Sequence, residues 1–485
     1  MSIVDEITRL TSAKADIKAA IEAKGVSVPS SAKLDAFPSY VSAISGGAAD
    51  PVIQALAVTA NGTYIAPNGI DGYSPVTVYI QSAAGSNENE IINRSLSGTY
   101  VNDTVTFIGE YAFYGTSIQH AAFPNVTRVM TAGFMYCPSL RTIDLPAVTS
   151  LGRATFSWCF SLASVSFPEL VFTEYGVFTQ CGELSYVSFP KIRNLGSSAF
   201  ERCSKLREVF LGASLTQIGA TTFSNCTALS EFHHATVSRI YDGAFYNCSN
   251  LETVNLPNVS MISVSAFAEC SRLQSAVFPL VSQIYSMAFF GCTSLKRIYF
   301  AAISYAYGTS AFANCTSLSD VYFKAKAGGA SYFAGCSAIP EITDENFPTL
   351  TNVSDNMFQS CTGISRIVHT TMQYLRAEAF ADCTSLRVVR LWGDSSATLR
   401  QFSISAFLRC SALESIYLLG NATFGLANRA AFSSTPLSKS TYLGHFGSIY
   451  VPASLLASYK TATNWTYYSS RFVGLTDEEI AALPF

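Results

Sequence analysis

Charge is scarce in this chain. Lys, Arg, Asp and Glu together make up 13% of its 485 residues, about half the share usual in soluble domains. They nearly cancel, at a formal net charge of -3, so no basic field exists to hold nucleic acid or an anionic membrane surface. No run of 18 apolar residues occurs, and no bilayer-spanning helix is expected. The opening stretch, MSIVDEITRLTSAKADIKAA, is charged throughout and lacks the apolar core of a secretory signal. The chain is therefore expected to be made in a cytosol without a cleavable export signal. No Cys-x-x-Cys pair or Gly-rich phosphate loop appears, and the five histidines follow no metal-site spacing. No metal, no cofactor and no enzymatic activity is expected.

What the chain does have is a clock. Thirteen cysteines run from Cys137 to Cys410, and Cys137, Cys159, Cys181 and Cys203 stand 22 residues apart. Each has a Phe three residues before it and a Leu or Ile three residues after it. A fixed period of this length is the mark of a solenoid, in which each repeat is one coil stacked on the next. An odd number of cysteines, evenly spaced, predicts buried free thiols packed as small apolar groups. Thr116 and Thr435 stand at the Cys position of two degenerate terminal coils, giving fifteen in all.

The coil Ala132 to Gly152 shows the expected plan. Leu140, Ile143 and Leu145 point inward, and Arg141, Thr142 and Asp144 point outward along a short strand. Pro146 ends that strand, because proline cannot donate to a ladder. Val148 and Leu151 return to the core. Strands of successive coils should pair as a parallel sheet on one side. The fold class is thus a repeat solenoid of about fifteen coils with a parallel sheet over residues 101–447, preceded by a short α-helical segment and a small β-module. His233 and His234 are adjacent on a strand, so one should face inward with a hydrogen bond and the other should face solvent.

The flanks differ from the array. In residues 1–46, Ile3, Ile7, Leu10, Ile17 and Ile21 fall at heptad spacing, with Lys14 and Lys24 interrupting. Two readings stay open: a helical hairpin packed on itself, or a short coiled coil joining copies of the chain into a homo-oligomer, a trimer among the options. Residues 47–82 read as a β-module with strands at Ala55–Thr59 and Val76–Ile80, and 83–100 as a linker. Residues 448–485 read as a cap: a strand, Pro452, a helix, then an aromatic cluster with Trp465, Tyr467 and Tyr468.

The repeat Ala-Phe-x-x-Cys-x-x-Leu-x-x-Val-x-Phe-Pro, carried well by GAFYNCSNLETVNLPNVSMI at Gly243 to Ile262, resembles the BspA-like class of bacterial leucine-rich repeats. The resemblance covers about 340 residues; it is specific for fold and weak for function. The segments LTSAKADIKAAIEAKGVSVPSSAKLDAF and NGTYIAPNGIDGYSPVTVYI are similar to N-terminal modules of tail-associated structural proteins of phages and prophages of Gram-positive bacteria. That resemblance implies a virion attachment module, with other tail proteins as partners, in front of a binding solenoid. The terminal IYVPASLLASYKTATNW is similar to the usual end of BspA-like arrays.

Binding is the expected role of a long solenoid. The outward position seven residues after Cys carries Phe210, Tyr299, Tyr322, Arg390 and Tyr417, and Arg297 and Arg366 lie on neighbouring outward positions. Aromatics beside Arg are typical of protein hot spots, and Tyr or Trp faces also stack on sugars. Ordinary cross-strand packing explains any one of them equally well. Trp392 is expected in a loop, where the coil after Cys383 carries five extra residues. The favoured expectation is a phage tail fibre or baseplate-associated protein that binds a host surface protein or glycan. An architectural virion part and a bacterial surface adhesin of the BspA-like kind are the alternatives.

Overall fold

The chain divides into Met1–Gln54 and Ala55–Phe485. The computed structural model describes residues 97–483 except 104, 304, 305, 307, 394–400 and 439–445, together with the backbone of 62–64 and 76–78. Ile3, Ile7, Leu10, Ile17 and Ile21, with the proposed helices around them, lie outside the described residues. In the β-module, Val76–Val78 pairs antiparallel with Gly62–Tyr64. The strand partner shown for Val76–Val78 is thus Gly62–Tyr64, where Thr63 and Tyr64 are good strand formers. Ala55–Thr59 lies outside the described residues.

The array is a parallel solenoid of about 16 turns. Its main row of strands runs from Ser97–Val101, inside the stretch read as linker, to Ser448–Pro452 and Phe472–Leu475. The register is direct: Thr142 to Asp144 pair with His120 to Ala122, and Arg297 to Phe300 pair with Asp320 to Phe323. Alternation sets the faces, with Ile143 buried between exposed Thr142 and Asp144.

A second row of short parallel strands, absent from the sequence reading, follows the turns that end the main strands. Phe107–Ile108, Arg128–Val129, Ser150–Leu151 and Phe172–Thr173 form one run of it. A third ladder joins the turns. Phe134 N–H donates to Thr155 O at 2.8 Å, and Phe156 N–H to Val177 O at 2.8 Å. Backbone groups on all three sides of a coil are thereby satisfied. The turn places two left-handed residues around each core Phe from Phe113 to Phe407, as with Ala132 and Tyr136 around Phe134. Most of these are not glycine, although the left-handed region costs an L-residue about 1–2 kcal/mol. The ladder bonds on either side hold them there.

The core is a continuous file of rings. From Phe113 to Phe432 each repeat phenylalanine stacks on the next at 4.8–5.6 Å and within 16° of parallel. The spacing is close to that of paired strands, about 4.8 Å, so the ladder itself brings the rings into register. All thirteen cysteines are free and buried. Each thiol donates to the carbonyl oxygen of the Phe one coil back, at 3.0–3.2 Å. Burial pushes the Cys181 and Cys270 thiols up to about 12, so these sulfurs are packing groups and not nucleophiles. At the degenerate ends, Thr116 and Thr435 hydroxyls donate to Phe113 O and Phe432 O of their own coils.

His234 and His369 both occupy an inward position where other coils carry Phe or Leu. His234 Nε2 lies 3.2 Å from Gly212 O and His369 Nε2 lies 2.9 Å from Phe347 O, while His233 is exposed. Burial lowers both buried imidazoles below their ordinary value of 6.5. The unfolded chain therefore takes up protons first as pH falls. Stability should be undiminished above about pH 6.5 and fall below it. Urea unfolding of His369→Phe should show a smaller loss between pH 7.5 and pH 5 than the wild type; an equal loss would place the titration elsewhere.

Candidate functional site

The outward column of the main sheet changes character along the solenoid. In early coils it presents Asp144, Ser166 and Ser188. From the middle onward the same column presents Val277, Tyr299 and Tyr322, in direct register. In the last coils Thr343, Val368, Arg390, Tyr417, Tyr450 and Val473 follow one another across one six-stranded sheet. The fold needs only alternation here, so nothing in the coil plan demands large side chains on the solvent face.

The candidate residues fall into three places. Phe210 is 55% exposed, and its ring lies 5.7 Å from that of Tyr186 in the coil before. It stands apart from the rest. Tyr299 stacks on Tyr322 at 4.9 Å and 18°, beside an ion pair in which Arg297 Nε donates to Asp320 at 2.5 Å. Arg366 is paired the same way with Glu341, whose carboxylate raises the guanidinium's proton affinity. In the third place the Arg390 guanidinium lies 5.1 Å over the Tyr417 ring, and Tyr417 stacks on Tyr450 at 4.4 Å and 11°. Partial burial raises the Tyr417 phenol, and Tyr450 adds to the shift. Trp392 is half-buried in strand Val388–Gly393, opposite Leu419. It is a strand residue and not a loop residue, because the strand runs on past its expected end and carries Trp392 into the pairing.

These rings spend their faces on one another. Tyr299 covers Tyr322, and Tyr417 lies between Arg390 and Tyr450. In each stack the faces that meet are closed to a ligand, while edges and hydroxyls stay within reach. A sugar that stacks needs an open ring face; a protein surface makes use of edges, hydroxyls and guanidinium forks.

Sequence reading missed Tyr450, which lies beyond the last cysteine, and it missed a second aromatic ridge on the turns. There Tyr136 stacks on Trp158 at 5.3 Å and 8°. Tyr114 lies 6.0 Å from Tyr136, and Phe160 lies 5.8 Å from Trp158. Aromatics one or two residues after the core Phe in three consecutive coils were the available signal. Among the described residues no cluster of His, Cys, Asp or Glu is placed to hold a metal ion, and no helix is long and apolar enough to cross a membrane.

A family model described as BspA type leucine rich repeat region matches residues 88–192, 172–296, 238–365 and 329–451. Among solved structures, a leucine-rich repeat protein from Bacteroides ovatus aligns with a TM-score of 0.50 at 20% identity, over 68% of this chain and 88% of that one. A leucine rich cell surface protein from Faecalibacterium prausnitzii aligns with a TM-score of 0.41 at 22% identity, over 75% of this chain and 95% of that one. No curated protein matches.

Proposed function

The chain belongs to the BspA-type leucine-rich repeat family, and on that premise we propose that its solenoid is a non-enzymatic recognition module. It would grip a macromolecule on a cell surface through the C-terminal half of the main sheet's outward face. One observation carries the reading: Tyr299, Tyr322, Arg390, Tyr417 and Tyr450 fall in the outward column of the later coils, with Arg297 and Arg366 on neighbouring positions, where the first coils present Asp144, Ser166 and Ser188. Hot spots are enriched in Tyr, Trp and Arg, and the self-stacked rings favour a protein partner over a glycan.

The setting of the module is a separate matter. The similarity of the first 80 residues to phage tail proteins favours a virion protein that binds its host, with those residues as the attachment and oligomerisation module. A surface adhesin uses the same face in the same way. The experiment is binding of labelled full-length chain to intact Gram-positive cells, with and without protease shaving. Saturable binding that protease removes supports the reading, and binding that is absent or unsaturable sinks it. Mass spectrometry of purified phage particles separates the two settings.

A further inference from the structure

A groove of about 250 Å³ lies over Ile298 on the outward face, walled by Val277 and Tyr299 on one side and by Arg297 and Asp320 on the other. We propose that this groove is a subsite for a protein segment that carries a carboxylate next to an apolar side chain. The Asp or Glu of the partner seats on the Nη fork of Arg297, and the apolar side chain lies against Val277. This rests on the reading of the sheet face as a recognition surface and goes further by naming what the face recognises.

The pose of Arg297 is the main argument. Its Nε is held by Asp320, while among the described residues its two Nη groups have no hydrogen-bond partner and the side chain is 64% exposed. A guanidinium anchored through Nε presents a fixed fork that matches a carboxylate with two parallel hydrogen bonds. Exposed Lys296 adds a second cation next to it in the chain. The Tyr299 and Tyr322 hydroxyls also have no partner among the described residues, and they supply further donors for acceptor oxygens. Val277 is 49% exposed, an uncovered apolar wall beside those donors. An acidic sugar shares the carboxylate but brings no apolar side chain to cover the exposed Val277.

A display library of random peptides is selected on immobilised full-length wild-type chain. Asp or Glu adjacent to Leu, Ile, Val or Phe should be enriched. The selected peptides should bind Arg297→Gln about tenfold more weakly, and the same loss should follow when their acid is changed to its amide. Arg297→Lys keeps the charge but not the fork, and should lose most of the preference for acid over amide. Unchanged thermal melting shows that the variants are folded. No enrichment, peptides without an acid, or equal binding to Arg297→Gln would overturn the proposal. Polygalacturonate binding that depends on Arg297 would overturn the choice of a protein occupant. If wild type and Arg297→Gln bind cells equally while the loss of Tyr299 and Tyr322 abolishes binding, the subsite falls and the sheet-face reading stands.

Discussion

The double variant Tyr299→Ser/Tyr322→Ser is expected to bind cells at least about 30-fold more weakly than the wild type, since a single hot-spot residue contributes about 2 kcal/mol or more. The two rings stack on each other across neighbouring coils, so removing one alone would leave the other to re-aim its open face. Removing both deletes the ridge and leaves Ile298 and Val321 buried beneath it. Because Tyr299 lies on the solvent side of the sheet and Tyr322 is only half-buried, the melting temperature should change little. Ser166→Ala and Ser188→Ala, in the same column of the early coils, should bind as the wild type does. Comparable losses from the serine variants would mean that the whole face, or none of it, is the contact surface.

Trp465→Ala should cost about 3–5 kcal/mol, the largest stability loss expected from a single side chain here. A solenoid's last coil has a face with no following coil, and side chains must stand in for it. Trp465 is buried and its Nε1–H donates to Phe424 O at 2.7 Å. Tyr459 Oη accepts from Phe424 N–H at 2.9 Å, and Asn464 Nδ2 donates to Leu426 O and Ala427 O at 2.8 and 3.0 Å. Together they supply the bonds that another coil's backbone would make. The indole also closes the ring file, 6.0 Å from Phe432 and 6.1 Å from Phe402. Since each coil leans mainly on its neighbours, the loss should be local at first. Amide exchange should quicken around residues 401–432 and stay as in the wild type around 134–200. Trp465→Phe keeps a ring and loses the donor, at about 1 kcal/mol.

The parts of this fold legible in the sequence are those the coil repeats. Phe134, Cys137 and Leu140 recur because each coil must close and present the same three groups to the next. The inward strand positions follow from alternation. The second row of strands was not legible, since two residues such as Ser150–Leu151 are too few to show a period. The left-handed turns were hidden because residues such as Tyr136 and Trp158 hold them without the glycine that usually marks them. Arg297, Tyr299 and Tyr322 were visible as outward residues. That the two rings would cover each other depends on the register across a 23-residue step, which spacing alone does not set. Tyr450 was missed for want of a cysteine before it, although it extends the column to the end of the array.

The most direct test of the account places a photo-crosslinking side chain at position 322 in one sample of the full-length chain and at position 166 in another, on intact cells. Both positions lie in the same outward column, one in the aromatic half and one in the serine half. The account predicts a discrete, protease-sensitive adduct from position 322 and none from position 166. Adducts of equal yield from both, or from position 166 alone, would contradict it.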